Sequence, residues 1–136
     1  MRSQSSSGPR VRIRVDLAPG CSVGPGKVSL LEAIETEGSL TLAARRLAMS
    51  YRRAWNLLDD LNRSFAVPMV ETAVGGRSGG GARLTASGRA LIRVFRALER
   101  GASRLAGNMQ EFAPRRARRN ATGKTTPLPL RGRAGR

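Results

Sequence analysis

A mainly α domain with a small β part follows from three features of this chain. Two short helical segments meet at a two-residue turn at Ala48 and Met49, a glycine-flanked hairpin follows, and a long helix comes last. A segment of period-2 alternation precedes them. In order, an N-terminal strand, three helices, a β-hairpin wing and a long C-terminal helix make a winged helix-turn-helix, with disordered basic tails at both ends.

Each element has its own local reason. Residues 1–9 are Ser-rich and read as a disordered N-terminus. Val11, Ile13, Val15 and Leu17 alternate with Arg10, Arg12, Arg14 and Asp16, which predicts a strand with one buried face. Pro19 to Gly26 reads as a turn-rich loop. From about Lys27 to Glu37, Val28, Leu31 and Ile34 share one helical face, and Gly38 provides the stop. Ser39 caps the next helix, which runs to about Leu47 and carries the small residues Ala43 and Ala44 where another helix can cross closely. Ser50 caps a helix reaching about Ser64, whose inner face is Ala54, Leu58, Leu61 and Phe65. Pro68 to Val74 then reads as a strand, Gly75 to Gly81 as a loop, and Ala82 to Leu84 as the return strand.

Thr85 caps the last helix, expected over about 85–112. Along it Leu91, Phe95, Leu98, Ala102, Leu105, Met109 and Phe112 alternate spacings of four and three, a heptad seam. Core packing near its start and a homodimer contact further along both suit that seam. Gly101 and Gly107 weaken the helix by roughly 1 kcal/mol each. Pro114 ends it, so residues 10–113 form the domain and 114–136 a low-complexity basic tail.

Charge is distributed unevenly. The 136 residues hold 25 basic and 9 acidic side chains, a net charge of +16. Residues 1–14 contain four Arg and no acid, and residues 114–136 contain eight cations and no acid, so twelve of the sixteen net charges lie in the ends. The domain between them is mildly basic. Such tails suit nucleic acid or an anionic surface, or remain solvated without a partner. With no His and only Cys21 as a cysteine, His-based acid–base chemistry, multi-Cys zinc sites and an internal disulfide are excluded. The longest apolar runs are too short to span a bilayer, and the Ser-rich start lacks a signal-peptide core. The expected place is the cytoplasm, in association with the nucleoid, with no membrane partner.

Chemistry concentrates at the helix opened by Ser50. Arg52 and Arg53 sit in its first turn, where backbone N–H groups already carry partial positive charge and disfavour each cation by roughly 0.3–1 kcal/mol. A bound anion removes that conflict, and a phosphate backbone beside a base edge fits best. Tyr51, Arg52, Arg53 and Asn56 project away from the inner face. Arg pairs bidentately with guanine and Asn with adenine, each good pair discriminating by about 1–3 kcal/mol. Arg45 and Arg46 end the preceding helix and suit either its dipole or a phosphate. Trp55 reads as a packing residue at the helix–wing junction. The glycine loop 75–81 lacks the Gly-Lys-Ser/Thr ending of a phosphate loop, so it reads as a wing tip, with Arg77, Ser78 and nearby Arg83 reaching backbone or minor groove. Asp59 and Asp60 point about 100° apart and do not converge on a metal. No catalytic residue, metal site or cofactor is expected, and the chain does not read as an enzyme.

The run Leu31-Glu32-Ala33-Ile34 through Gly38-Ser39-Leu40-Thr41-Leu42-Ala43-Ala44, then Met49 to Trp55, resembles the DNA-binding domain of ModE-type molybdate-responsive transcriptional regulators. The likeness continues through Leu61-Asn62, Val70-Glu71-Thr72, Gly75 to Gly81, Leu84-Thr85 and Gly88, and covers about Val11 to Leu105. The Gly-Ser-x-x-x-Ala-Ala-x-x-Leu stretch is shared more distantly with LysR-type regulators. The resemblance implies a homodimer on double-stranded DNA, with the helix 51–64 in the major groove through Ser50, Tyr51, Arg52 and Arg53, and the wing on backbone or minor groove. Family members carry C-terminal oxyanion-binding domains, whereas this chain ends in a basic tail, so it resembles a stand-alone form. Molybdate sensing is therefore not supported and any effector is unknown. A non-specific architectural or RNA-associated basic protein is the alternative, although the few aromatics offer no stacking platform for single strands.

Overall fold

The computed structural model describes residues 8–73 and 80–114. The expected disorder of residues 1–7, most of the glycine loop and nearly all of the C-terminal tail fall outside the described residues. The described residues form a winged helix-turn-helix with two small antiparallel sheets. In sequence order the elements are β1 (Val15–Ala18), β2 (Cys21–Val23), α1 (Pro25–Glu37), α2 (Leu40–Arg46), α3 (Tyr51–Ser64), β3 (Val70–Thr72), β4 (Ala82–Leu84) and α4 (Ala86–Ala106), followed by a 3₁₀ turn at Gly107–Phe112.

The first strand does not stand alone. Gly20 turns the chain at φ 77°, and Cys21–Val23, expected as loop, pairs back on β1 with Val15 opposite Val23. Three residues are too few to show a period, so only the pairing reveals β2. Register shifts between Asp16 and Ala18, which ends the alternation before Leu17 and leaves that side chain 57% exposed. Ile13 and Val15 do pack inward, against the cluster of Val23, Val28 and Phe95.

Helix α1 begins one turn's fraction earlier than its apolar spacing indicates, because Pro25 occupies its first turn behind the extended Gly24. Its burial is also wider than one face. Leu30 and Ala33 join Val28, Leu31 and Ile34 in the core because α2, α3, β4 and α4 all pack on it. Each fully buried Leu or Ile contributes about 1.5–3 kcal/mol. Gly38 closes α1 at φ 73°, its N–H donating to the Ile34 carbonyl at 2.8 Å.

The three caps occur where the sequence places them. Ser39 Oγ accepts from Leu42 N, Ser50 Oγ from Arg53 N and Thr85 Oγ1 from Gly88 N, each at 3.1 Å. Between α2 and α3, Ala48 adopts φ 53° and Met49 N donates to the Ala44 carbonyl at 3.0 Å. That left-handed residue makes the turn tight. Ala43 and Ala44 are buried at the crossing, as are Ala54, Leu58 and Leu61 of α3, while Phe65 is part-buried at its end.

Hairpin β3–β4 pairs Val70 with Leu84, Glu71 with Arg83 and Thr72 with Ala82. Ala82 N donates to the Gly38 carbonyl at 2.9 Å, and Thr85 Oγ1 donates to the Pro68 carbonyl at 2.7 Å. On α4, Leu91 and Phe95 pack inward, whereas Leu98 is 46% and Leu105 72% exposed, so the seam turns from core to surface along its length. Arg96 ties α4 to α1 by an ion pair with Glu32 and bonds Glu99 at 2.6 Å. The Glu32 hydrogen bond holds Arg96 above the usual arginine range, burial opposing and Glu99 reinforcing. It stays cationic at any working pH.

Glycines of α4 divide into two kinds. A Cβ on Gly88 would stand 2.3 Å from the Met69 carbonyl oxygen, so backbone meets backbone there, while a Cβ on Gly101 would meet only the Arg104 guanidinium at 3.9 Å. Gly88→Ala is expected to destabilise by about 1–3 kcal/mol despite its better helix propensity. Gly101→Ala is expected to stabilise by about 1 kcal/mol. Urea denaturation of both variants measures the opposite signs, and equal signs would refute the close approach.

Candidate nucleic-acid interface

Burial of Ala54, Leu58 and Leu61 fixes the rotation of α3. At about 100° per residue, Arg52 and Asn56 then lie opposite that buried face, with Tyr51 and Arg53 on either side. All four are exposed, Tyr51 by 55%. None of the four side chains has a hydrogen-bond or ion-pair partner among the described residues. No acidic residue occupies the first turn of α3, so the positive helix end and both guanidiniums remain uncompensated. Ser50 is engaged in the cap, with its hydroxyl accepting from Arg53 N.

Surrounding candidates differ in their freedom. Arg45 is exposed with no ion-pair partner among the described residues, but Arg46 bonds Glu37 at 2.8 Å. Arg83 lies 3.8 Å from Glu71, its cross-strand partner, and is 83% exposed. Such an exposed pair holds weakly and leaves the guanidinium available. Arg77 and Ser78 lie outside the described residues. A cleft of about 250 Å³ separates α3 from the hairpin, lined by Leu40, Thr41, Tyr51, Trp55, Thr72 and Gly80 among others. Trp55 does sit at this junction, yet it is 48% exposed, so half of its ring faces solvent rather than core.

Residues 26–89 match the family of bacterial regulatory helix-turn-helix proteins of the lysR type. Over 88 residues the chain is 41% identical to the molybdenum transport protein ModE of Azotobacter vinelandii, covering 65% of this chain and 33% of that protein. It is 43% identical over 88 residues to the molybdenum-pterin-binding protein MopA of Rhodobacter capsulatus, with the same two coverages. The DNA-binding transcriptional dual regulator ModE of Escherichia coli K12 is 38% identical over 71 residues, covering 52% of this chain and 27% of that protein. The domain is a winged helix-turn-helix, similar in sequence to these ModE proteins. The chain spans about a third of the length of the first two relatives.

Within this ModE-like domain, two residues have supporting roles that no sequence pattern reveals. Asn62 reaches from α3 to the hairpin: its Oδ1 accepts from Met69 N at 2.9 Å and Val70 N at 3.2 Å, and its Nδ2 donates to the Val70 carbonyl at 3.1 Å. One amide thus sets the wing against α3. A single Asn in a helix has no spacing that announces such a role. Lys27 donates to the Ser22 carbonyl at 2.6 Å and pairs with Asp60, which pins the first hairpin and α1 to the outer end of α3. Asp59 bonds Arg63 at 2.7 Å instead, so the two adjacent carboxylates serve separate partners. Among the described residues no group of three His, Cys, Asp or Glu could hold a metal ion, and no helix is long and apolar enough to cross a membrane.

Asn62→Ala is expected to cost about 1–3 kcal/mol, because two backbone N–H groups and a carbonyl lose their partner. Amide exchange read by NMR should quicken at Met69 and Val70 ahead of the α1 core. Uniform exchange across the domain would show that Asn62 does not clamp the hairpin.

Proposed function

We propose that this domain is the DNA-reading part of a bacterial transcription regulator that binds a specific double-stranded sequence as a homodimer. The observation that carries the reading is the unpartnered outer face of α3. Arg52 and Asn56, one helical turn apart, are the two side-chain types that read guanine and adenine edges in the major groove, and both are exposed without a protein partner. Tyr51 and Arg53 flank them, and Arg45 stands nearby at the end of α2 for a phosphate. The hairpin beside α3 suits the backbone or minor groove through Arg83 and, in the loop, Arg77 and Ser78. The names of the relatives, which include transcriptional regulators, support the same class.

A dimer is supported by the surface half of the α4 seam. Leu98, Leu105 and Met109 are exposed there by 46%, 72% and 62%, with Ala102 between them. Two copies joined through these side chains suit the two halves of a palindromic site.

Selection of bound sequences from a random duplex pool tests the specific reading. Arg52→Ala and Arg53→Ala are each expected to weaken the selected site by about 1–3 kcal/mol and random duplex far less. Equal losses on both would favour the non-specific architectural alternative. For the dimer, Leu98→Glu with Leu105→Glu is expected to give a monomer in sedimentation that binds half-sites and full sites alike. A dimer that survives both charges would remove α4 from the interface.

A further inference from the structure

Acidic side chains are few in this domain, and their placement is informative. Of the nine in the chain, seven form the ion pairs seen among the described residues, with Arg14, Lys27, Arg46, Arg63, Arg96 and, weakly, Arg83. Apart from Arg10 and Arg12 in the first segment, the described arginines without a carboxylate partner form two clusters. Arg45, Arg52 and Arg53 make the face described above. The second cluster lies on α4 and comprises Arg89, Arg93, Arg100 and Arg104, all exposed.

These four fall within about 60° of one another around α4 and extend about 22 Å along it. Arg89 donates to the Leu84 carbonyl at 3.3 Å, while the other three have no hydrogen bond or ion pair among the described residues. Arg89 and Arg93, and Arg100 and Arg104, are like charges at i,i+4, a spacing that disfavours the free helix. The row lies about 130° around α4 from Val94, Leu98 and Leu105, so a dimer seated on the apolar row leaves the arginines open. α1 packs on α2, α3 and α4, and Phe65 at the end of α3 meets the inner side of α4 at Phe95, opposite in kind to the exposed arginine row. Arg89 shares a groove with Arg83, Glu35 and Glu71 beside the hairpin, and Arg93, Arg100 and Arg104 continue the row along α4 beyond it.

We propose that the arginine row of α4 is a second phosphate-binding surface, which holds a second DNA duplex while α3 holds the first. Guanidinium groups bind phosphate oxygens in a planar fork, and four on one rigid helix suit a repeating polyanion rather than a single ion. With a phosphate every 3.4 Å of axis on each strand, the row runs beside about six phosphates. The inference rests on the reading of the domain as a DNA binder, and the regulator then becomes able to join two segments of duplex.

A two-duplex capture experiment on the full chain tests it. Protein is loaded on an immobilised mixed-sequence duplex, washed, and offered a fluorescent duplex of the same length. Wild type is expected to capture the second duplex. The triple variant Arg93→Gln, Arg100→Gln, Arg104→Gln should capture at least about fivefold less while its retention on the first changes less than about twofold. The matching Lys variants keep the charge and should restore capture, which separates charge from any loss of fold. Unchanged capture by the Gln variant, or no capture by wild type that is retained on the first duplex, overturns the inference alone. Failure of wild type to bind the first duplex overturns the proposed function with it. A polyglutamate peptide bound by wild type and released by the Gln variant, with second-duplex capture unaltered, would assign the row to an acidic protein and likewise overturn the proposal.

Discussion

The burial of α1 is the constraint on which this domain depends. Val28, Leu30, Leu31, Ala33 and Ile34 are all buried, and together they cover more than half of the circumference of one helix. A helix apolar on more than one face has to be covered on each, and here α2 and α3 cover one part while α4 and β4 cover another. The helix-turn-helix and the long C-terminal helix therefore belong to one core. The rotation of α3 follows, because its Ala54, Leu58 and Leu61 seat in that same core and push Arg52 and Asn56 outward.

The hairpin is held by directional bonds as well as by apolar burial. Its strands are three residues each, and Val70, Ala82 and Leu84 are buried in the main core with the adjacent Met69. Asn62, the Gly38 carbonyl and Thr85 each anchor part of it, and the absence of a side chain on Gly88 lets Met69 approach α4. A handful of directional bonds thus adds to the shared core in setting its position relative to α3. This suits a wing whose orientation matters more than its own stability, since a two-stranded hairpin is marginal alone.

Electrostatics in the domain separates structural from available cations. Lys27, Arg46 and Arg96 are tied to carboxylates that join one element to another. Arg52, Arg53, Arg93 and Arg100 have no such tie among the described residues. With so few acids, each pairing is a choice that leaves charge exposed elsewhere, and the exposed charge collects on α3 and α4. Surface pairs of this kind contribute little stability, so their main effect is on where positive potential remains.

Much of the architecture is local and was legible from the chain itself. Ser39, Ser50 and Thr85 cap helices through hydroxyls three residues from their donors, and the inner face of α3 recurs every three or four positions. Such signals need only near neighbours in sequence, so helix order, the turn at Ala48 and the outward set Tyr51, Arg52, Arg53 and Asn56 could be read directly. The tertiary structure decided what depends on distant partners. Cys21–Val23 became a strand only because β1 lies beside it, and Leu17 turned outward because of a shifted register. Asn62 gained its role from a hairpin eight residues away, and Arg46 lost its freedom to Glu37 across a helix boundary. Pairing, clamping and exposure are properties of neighbours in space, which a one-dimensional period cannot encode.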